Sequence, residues 1–279
     1  MRTVFCGLMA AAALLGGCAT SQQVPAIEGM VWQIDNEHTR PQGDWQKLGV
    51  KRLLVQWTVV DNLAFVPGTD VPQGANMPDW QQIGKQPWAT EVILGLAGRF
   101  DEHGARGDLE ALVQQSAKVA RTPPPVNVTG YYFPIEIDPT WMEAYRLRTL
   151  LNQLPRPLWI SVYDSANVGP EELAQSLVEW LPKDVGVFFQ DGVGVHAREA
   201  YVARHYVNVL VRRLGKERVR VIAEAFRPNV GGGFRPATLE ELRPQLATYE
   251  GFPIYLFEGP RYVQPALVQG LQAAQQAQR

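Results

Sequence analysis

A single-domain (β/α)8 barrel is the fold that this sequence predicts, on three observations. Eight short runs rich in Val, Ile, Tyr, Phe and Trp recur along the chain. Helical patterns separate them, and one strand-helix unit takes about thirty residues, so eight units fill the roughly 250 residues of such a barrel. The first run ends in Gln33-Ile34-Asp35-Asn36 and lacks the G-x-G-x-x-G turn of a doubly wound dinucleotide fold.

The eight runs are residues 27–34, 51–60, 92–97, 126–136, 157–163, 185–190, 218–226 and 253–257. Each is apolar, β-branched or aromatic, and short enough for a buried parallel strand. Helical patterns occupy 108–121, 139–154, 170–181, 198–214 and 239–248, with a last one over 265–276. Pro170-Glu171-Glu172 opens the third of these with a residue that needs no N–H and two acids that favour the helix dipole. The first unit is the thinnest, with only 43–48 available for a helix. The connection 61–78, rich in Pro, Gly and Asn, has the length and composition of a cleft wall or lid. The glycines of 229–234 suit a flap, and no Lys-Ser/Thr follows them to make a phosphate loop.

Composition narrows the function. The chain has 279 residues, 46% hydrophobic and 19% charged, with 26 basic against 28 acidic side chains. That balance excludes a nucleic-acid surface of massed Lys and Arg. The four histidines show no ligand spacing, so neither metal nor cofactor is called for.

At the N-terminus, Arg2 precedes an apolar stretch, 4–15, too short to span a bilayer. It runs into Leu15-Gly16-Gly17-Cys18, which resembles the lipobox of bacterial lipoproteins. The resemblance implies a signal peptide over 1–17, a lipidated Cys18, a tether over 18–26 and a barrel over 27–279. Ala19, where Asp would mark inner-membrane retention, resembles the class sorted to the outer membrane and implies an anchor there, facing the periplasm. An ordinary secretory leader is the competing reading. Acyl chains add about 0.8 kcal/mol per buried CH₂, so several chains hold a domain without a membrane-spanning helix.

Barrel active sites form at the C-terminal ends of the strands. Those ends carry Trp32, Gln33 and Asp35; Gln56 and Trp57; Tyr132, Glu136 and Asp138; Tyr163 and Asp164; Gln190 and Asp191; Glu224; and Tyr255, Phe257 and Glu258. Carboxylates interleaved with aromatics suit carbohydrate, since a sugar ring stacks its apolar face and hydrogen-bonds its hydroxyls. Hydrolysis of a glycosidic bond takes two carboxyl groups, one protonated and one ionised. Candidate substrate contacts are Trp32, Gln56, Trp57, Tyr132, Tyr163, Gln190, His196, Tyr255 and Glu258. Candidate catalytic groups are Glu136, Glu224 and Asp191, with an ion pair to Arg99 or Arg227 as the competing use of the two glutamates. Asp138 and Asp164 fit loop and cap roles instead.

Tyr131-Tyr132-Phe133-Pro134-Ile135-Glu136-Ile137-Asp138 and Phe189-Gln190-Asp191-Gly192-Val193-Gly194 resemble a bacterial family of uncharacterised domains described as glycoside-hydrolase-like TIM barrels. The resemblance implies a barrel, a polysaccharide substrate, and functional weight on Glu136 and Asp191. A wider resemblance, to retaining glycosidases, implies Glu136 on strand four as acid/base and Glu224 on strand seven as nucleophile. There the acid/base usually follows Asn, whereas Glu136 follows Ile135. The expectation is a lipid-anchored glycoside hydrolase. A carbohydrate-binding lipoprotein without catalysis and an envelope scaffold are the alternatives.

Overall fold

The computed structural model describes residues 23–277. The leader, Cys18 and the start of the tether lie outside the described residues. Eight parallel strands close into a ring: β1 Gly29–Trp32, β2 Arg52–Val55, β3 Glu91–Gly95, β4 Val128–Ile137, β5 Leu158–Val162, β6 Val185–Gln190, β7 Val219–Glu224 and β8 Ile254–Phe257. Each strand pairs with its sequence neighbours, and β8 closes on β1. The longer helices around it are α1 Leu109–Arg121, α2 Pro170–Trp180, α3 Ala200–Leu214, α4 Leu239–Thr248 and α5 Pro265–Gln276. Pro170 opens α2 as the sequence predicts, and the structure adds a capping box of Thr238 with Glu241 on α4.

Two apolar layers result from strand alternation. The outer layer lies between strands and helices and includes Trp32, Leu53, Leu94, Phe133 and Val187. The inner cluster takes one residue from every strand: Val31, Leu54, Ile93, Tyr132, Trp159, Phe188, Ile222 and Tyr255. Phe188 is its hub, with edge contacts to Tyr132, Trp159 and Tyr255 at ring separations of 5.9, 5.6 and 4.9 Å. The lumen is therefore filled, not a pore.

Glycines make room at the N-terminal end. A Cβ on Gly29 would lie 2.1 Å from the Tyr255 ring, and one on Gly186 would lie 2.0 Å from Trp159. The Arg220 guanidinium stacks 3.5 Å above Trp159, and Arg52 pairs with Glu28 and Glu91. This pole is closed by rings and ion pairs.

Four sequence expectations change. The 51–60 run breaks after Val55: Val59–Val60 leaves the ring and pairs with Leu63–Ala64 and Ala97–Gly98 in a small separate sheet. The turn between the first two uses Asp61 and Asn62 at φ 46° and 65°, residue types that tolerate the left-handed region. Connection 61–78 is thereby tied down rather than left as a free lid, with Phe65 and Val66 buried and Ala75 N donating to Asn36 Oδ1 at 2.9 Å. The 139–154 pattern folds as three short turns, Ala144–Arg146, Leu147–Leu150 and Leu151–Gln153, because Asp138 holds the entry in a turn. Its Oδ1 accepts from Thr140 N at 2.9 Å, and Trp141 N donates to Asp138 O at 2.9 Å. The 229–234 segment is the tip of a hairpin, Phe226–Pro228 against Phe234–Pro236.

Replacing Gly186 or Gly29 with Ala overpacks the closed pole and costs about 1–3 kcal/mol, a fall of several degrees in Tm, about 2–4 °C per kcal/mol at this size. Gly231→Ala, where no atom lies within 4 Å of the new Cβ, leaves Tm unchanged in the same thermal melts.

Candidate functional site

Two residues beyond the inner cluster, six strands turn a polar or aromatic group into the mouth, while β3 has Gly95 there. The six groups are Gln33, Gln56, Ser161, Gln190, Glu224 and Phe257, with Glu136 brought in by a bulge. On β4 the register passes from Phe133 opposite Ile160 to Glu136 opposite Ser161, so Pro134 and Ile135 are extra. Pro134 suits a bulge, having no N–H to pair. It packs on Gly98, where a Cβ would lie 2.7 Å from Pro134 Cγ. The bulge sets Glu136 level with Ser161, within reach of Gln190 on β6.

Gln190 joins these groups. Its Nε2 donates to Glu136 Oε2 at 2.5 Å and to Ser161 Oγ at 2.7 Å. Glu102, in the short helix Glu102–Gly107, accepts from Glu136 N at 3.2 Å, and Arg106 Nη2 donates to Glu136 O at 3.1 Å. Burial raises the Glu136 pKa, opposed by the Gln190 donor and the Arg106 charge. Burial, then the Glu136 charge, pushes Glu102 up to about 7.

Across the mouth, Glu224 is 6% exposed. Its Oε2 accepts from Val195 N at 3.2 Å. Gly194 lies against it so closely that a Cβ would meet Glu224 Cβ at 2.6 Å. Burial, then the charge of Asp191, pushes Glu224 up to about 8. Tyr163, half-buried between the two glutamates, has its phenol pKa raised by burial and by the charges of Glu224 and Glu136.

Asp191 is fully buried and turned away from the mouth. It accepts from Val193 N and Glu224 N, both at 3.2 Å, from Gln245 Nε2 at 2.6 Å and from Tyr249 OH at 2.9 Å. Four donors favour its ionised form against the burial that raises its pKa. It positions the end of β7 and the 192–195 turn.

The other sequence candidates separate by depth. Gln56, Tyr163 and Gln190 stand at the mouth; Gln56 Oε1 is buried with no hydrogen-bond partner among the described residues. Tyr132 and Tyr255 lie lower, in the filled lumen, and Tyr255 OH donates to Glu28 at 3.2 Å near the closed pole. Glu258 is buried at the end of β8, accepting from Gln33 N at 3.1 Å and Arg261 N at 3.2 Å. Trp32 and Trp57 face the outer layer, their indole N–H groups donating to His38 O and Ile34 O. His196 is exposed on a groove outside the ring, beside α3 and α4. Arg99 pairs with Asp108, and Arg227 binds backbone carbonyls and Gln245, so neither neutralises the two glutamates. Asp138 and Asp164 hold loops, Asp164 accepting from Val168 N, Gly169 N and Tyr206 OH.

Two features have no counterpart in the sequence reading. One is Glu102 beside Glu136. The other is an aromatic wall: Phe226 contacts Phe234 at 4.7 Å, Tyr262 at 5.2 Å and Phe257 at 6.2 Å, next to Glu224. Phe234, on the hairpin, is 49% exposed.

The fold is shared with solved structures. A candidate α-L-fucosidase from Bacteroides thetaiotaomicron superposes with a TM-score of 0.63 at 14% identity over 99% of each chain. The PgaB (BpsB) glycoside hydrolase domain from Bordetella bronchiseptica gives 0.57 at 13% identity, over 89% of this chain and 99% of that one. In sequence, the uncharacterized protein YbcH of Escherichia coli (strain K12) is 27% identical over 213 residues, 65% of this chain and 70% of that protein. Residues 43–266, from the first connection to the start of α5, match the family model described as a domain of unknown function, DUF4434. The chain belongs to the DUF4434 family.

Proposed function

We propose that this barrel hydrolyses a glycosidic bond with Glu136 and Glu224 as its carboxyl pair. The observation that carries the reading is that the two glutamates face one mouth in different surroundings, Glu136 against the Gln190 amide and Glu224 against the Val195 N–H and Asp191. Glu224, buried beside the charge of Asp191, keeps its proton at neutral pH. Glu136 accepts a hydrogen bond from Gln190, which with the Arg106 charge favours its ionised form against the burial that raises its pKa. A site with one acid and one anion matches what the reaction consumes: a proton for the departing glycosidic oxygen, and an anion that attacks the anomeric carbon or activates water. On this electrostatics Glu224 is the proton donor and Glu136 the anion, the reverse of the order implied by the wider resemblance.

Substrate recognition follows from the same surface. The exposed ring of Phe234, backed by Phe226 and beside Tyr262, offers an apolar sugar face a place to stack. Gln56 Oε1 is an acceptor that a sugar hydroxyl or amide can satisfy; left bare, such a group costs about 1–3 kcal/mol. The solved barrels described as a candidate fucosidase and a glycoside hydrolase domain support the reading through the fold they share with this chain.

The proposal includes an outer-membrane anchor at Cys18, supported by Leu15-Gly16-Gly17-Cys18. Among the described residues no helix is long and apolar enough to cross a membrane.

Three outcomes test these assignments. Assayed against a polysaccharide panel, Glu136→Gln and Glu224→Gln each lose about 10²–10⁴-fold in turnover while retaining binding; equal turnover in wild type and both variants removes the pair. In melts at pH 5 and pH 9, Glu224→Gln is favoured over wild type more at pH 9. The Glu224 pKa is higher folded than unfolded, so its contribution is full below about 4.5 and is lost as pH rises through about 8. Fractionation of cells expressing Cys18→Ser moves the chain from membranes to the soluble fraction.

A further inference from the structure

We infer that a groove beside the mouth binds further sugar units of the same glycan; the inference rests on the carbohydrate reading above. The groove encloses about 940 Å³ between the segment after β1, residues 75–77 and the segment after β8. Pockets for drug-sized ligands span roughly 300–1,000 Å³, so this one has room for about two or three pyranose rings.

Its chemistry selects the ligand. Asn36, His38, Thr39, Asn76 and Gln264 present amides, an imidazole and a hydroxyl. Arg40, exposed on the same wall, makes no hydrogen bond or ion pair among the described residues. No Phe, Tyr or Trp among the described residues lines the groove, which argues against an apolar peptide segment. Glu37 and Asp44 offset Arg40, which argues against a polyanion. A neutral, hydroxyl-rich chain is the occupant that these groups match.

Its walls are already set. Asn36 Oδ1 accepts from Ala75 N at 2.9 Å, and Asn76 Nδ2 donates to Asn36 O at 2.8 Å, so two loops are clasped together. Asp35 holds the backbone N–H groups of Glu37 and His38, both at 2.8 Å, and His38 Nδ1 at 2.9 Å. Pre-set walls spare a ligand the cost of ordering them.

The groove and the mouth share the turn that follows β8. Arg261 Nη1 donates to Gln33 Oε1 at 2.8 Å on the lumen side, and its Nη2 binds Asp35 under the groove wall. In the same turn, Gly259–Tyr262, Pro260 borders the groove and the Tyr262 ring belongs to the aromatic wall. A glycan held at the carboxyl pair and extended over this turn enters the groove.

The test uses the full chain carrying Glu224→Gln, titrated by calorimetry with ladders of about two to eight units cut from neutral and N-acetylated polysaccharides. The expected result is that the longest bound oligomer binds at least about tenfold more tightly than the trimer of its ladder. Adding Gln42→Trp, which fills the groove from an exposed position, is expected to shrink that ratio to about two or less, and Arg40→Ala to shrink it partway. Affinity that stops rising at the trimer, or a ratio unchanged by Gln42→Trp in a chain of normal Tm, overturns the groove assignment and leaves the carbohydrate reading standing. Failure of every ladder to bind overturns both.

Discussion

One buried carboxylate organises the mouth. Asp191 Oδ1 accepts from the backbone of Val193 and of Glu224, while Oδ2 accepts from Gln245 and Tyr249 at the far side of α4. It thus joins the end of β6, the following turn, the end of β7 and a helix. The turn it fixes supplies the Val195 N–H to Glu224, and the strand it fixes carries Glu224 itself. A charge that would be costly alone in such surroundings is retained because four donors surround it. Its second effect is electrostatic, since it holds a neighbouring proton in place.

Stability and chemistry occupy opposite ends of the ring. At the N-terminal pole, glycines admit Tyr255 and Trp159, and Arg220 lies on the indole. Packing there is ring-rich and edged by ion pairs. At the other pole the inward side chains turn to amides and carboxyls, and a bulge on β4 adjusts the height of one of them. The middle layer, centred on Phe188, separates the two. Substitutions at the mouth can therefore alter chemistry without loosening the layer that closes the barrel.

The barrel was legible because its strands are buried on both faces and read as continuous apolar runs. The 185–190 segment coincides with β6, bounded by Lys183-Asp184 and by Gly192. Breaks inside apolar runs were not legible: nothing in Gln56-Trp57-Thr58 marks where β2 ends, because Thr58 is fixed by long-range bonds to Leu96 and Gly95. Orientation was the second limit. Trp32 and Trp57 look like stacking platforms in sequence, but strand parity turns Trp32 to the helices, and Trp57 donates to Ile34 O beneath the outer layer. Glu136 and Glu224 stood out as acids within apolar runs, and both reach the mouth. Glu102 did not, since it lies in a polar stretch whose approach to Glu136 depends on how the β3 loop folds. The aromatic wall draws on two loops and a strand end, a convergence that spacing along the chain does not reveal.

The path by which the chain enters the barrel has a directional outcome. Val24 and Ile27 are buried, Gln275 Nε2 donates to Pro25 O at 2.8 Å, and Glu28 N donates to Ile254 O at 2.9 Å before β1 begins. The N-terminal arm is thus pinned under the floor, opposite the carboxyl pair. Any support that grips this arm holds the molecule like a cup by its base, with the rim turned outward.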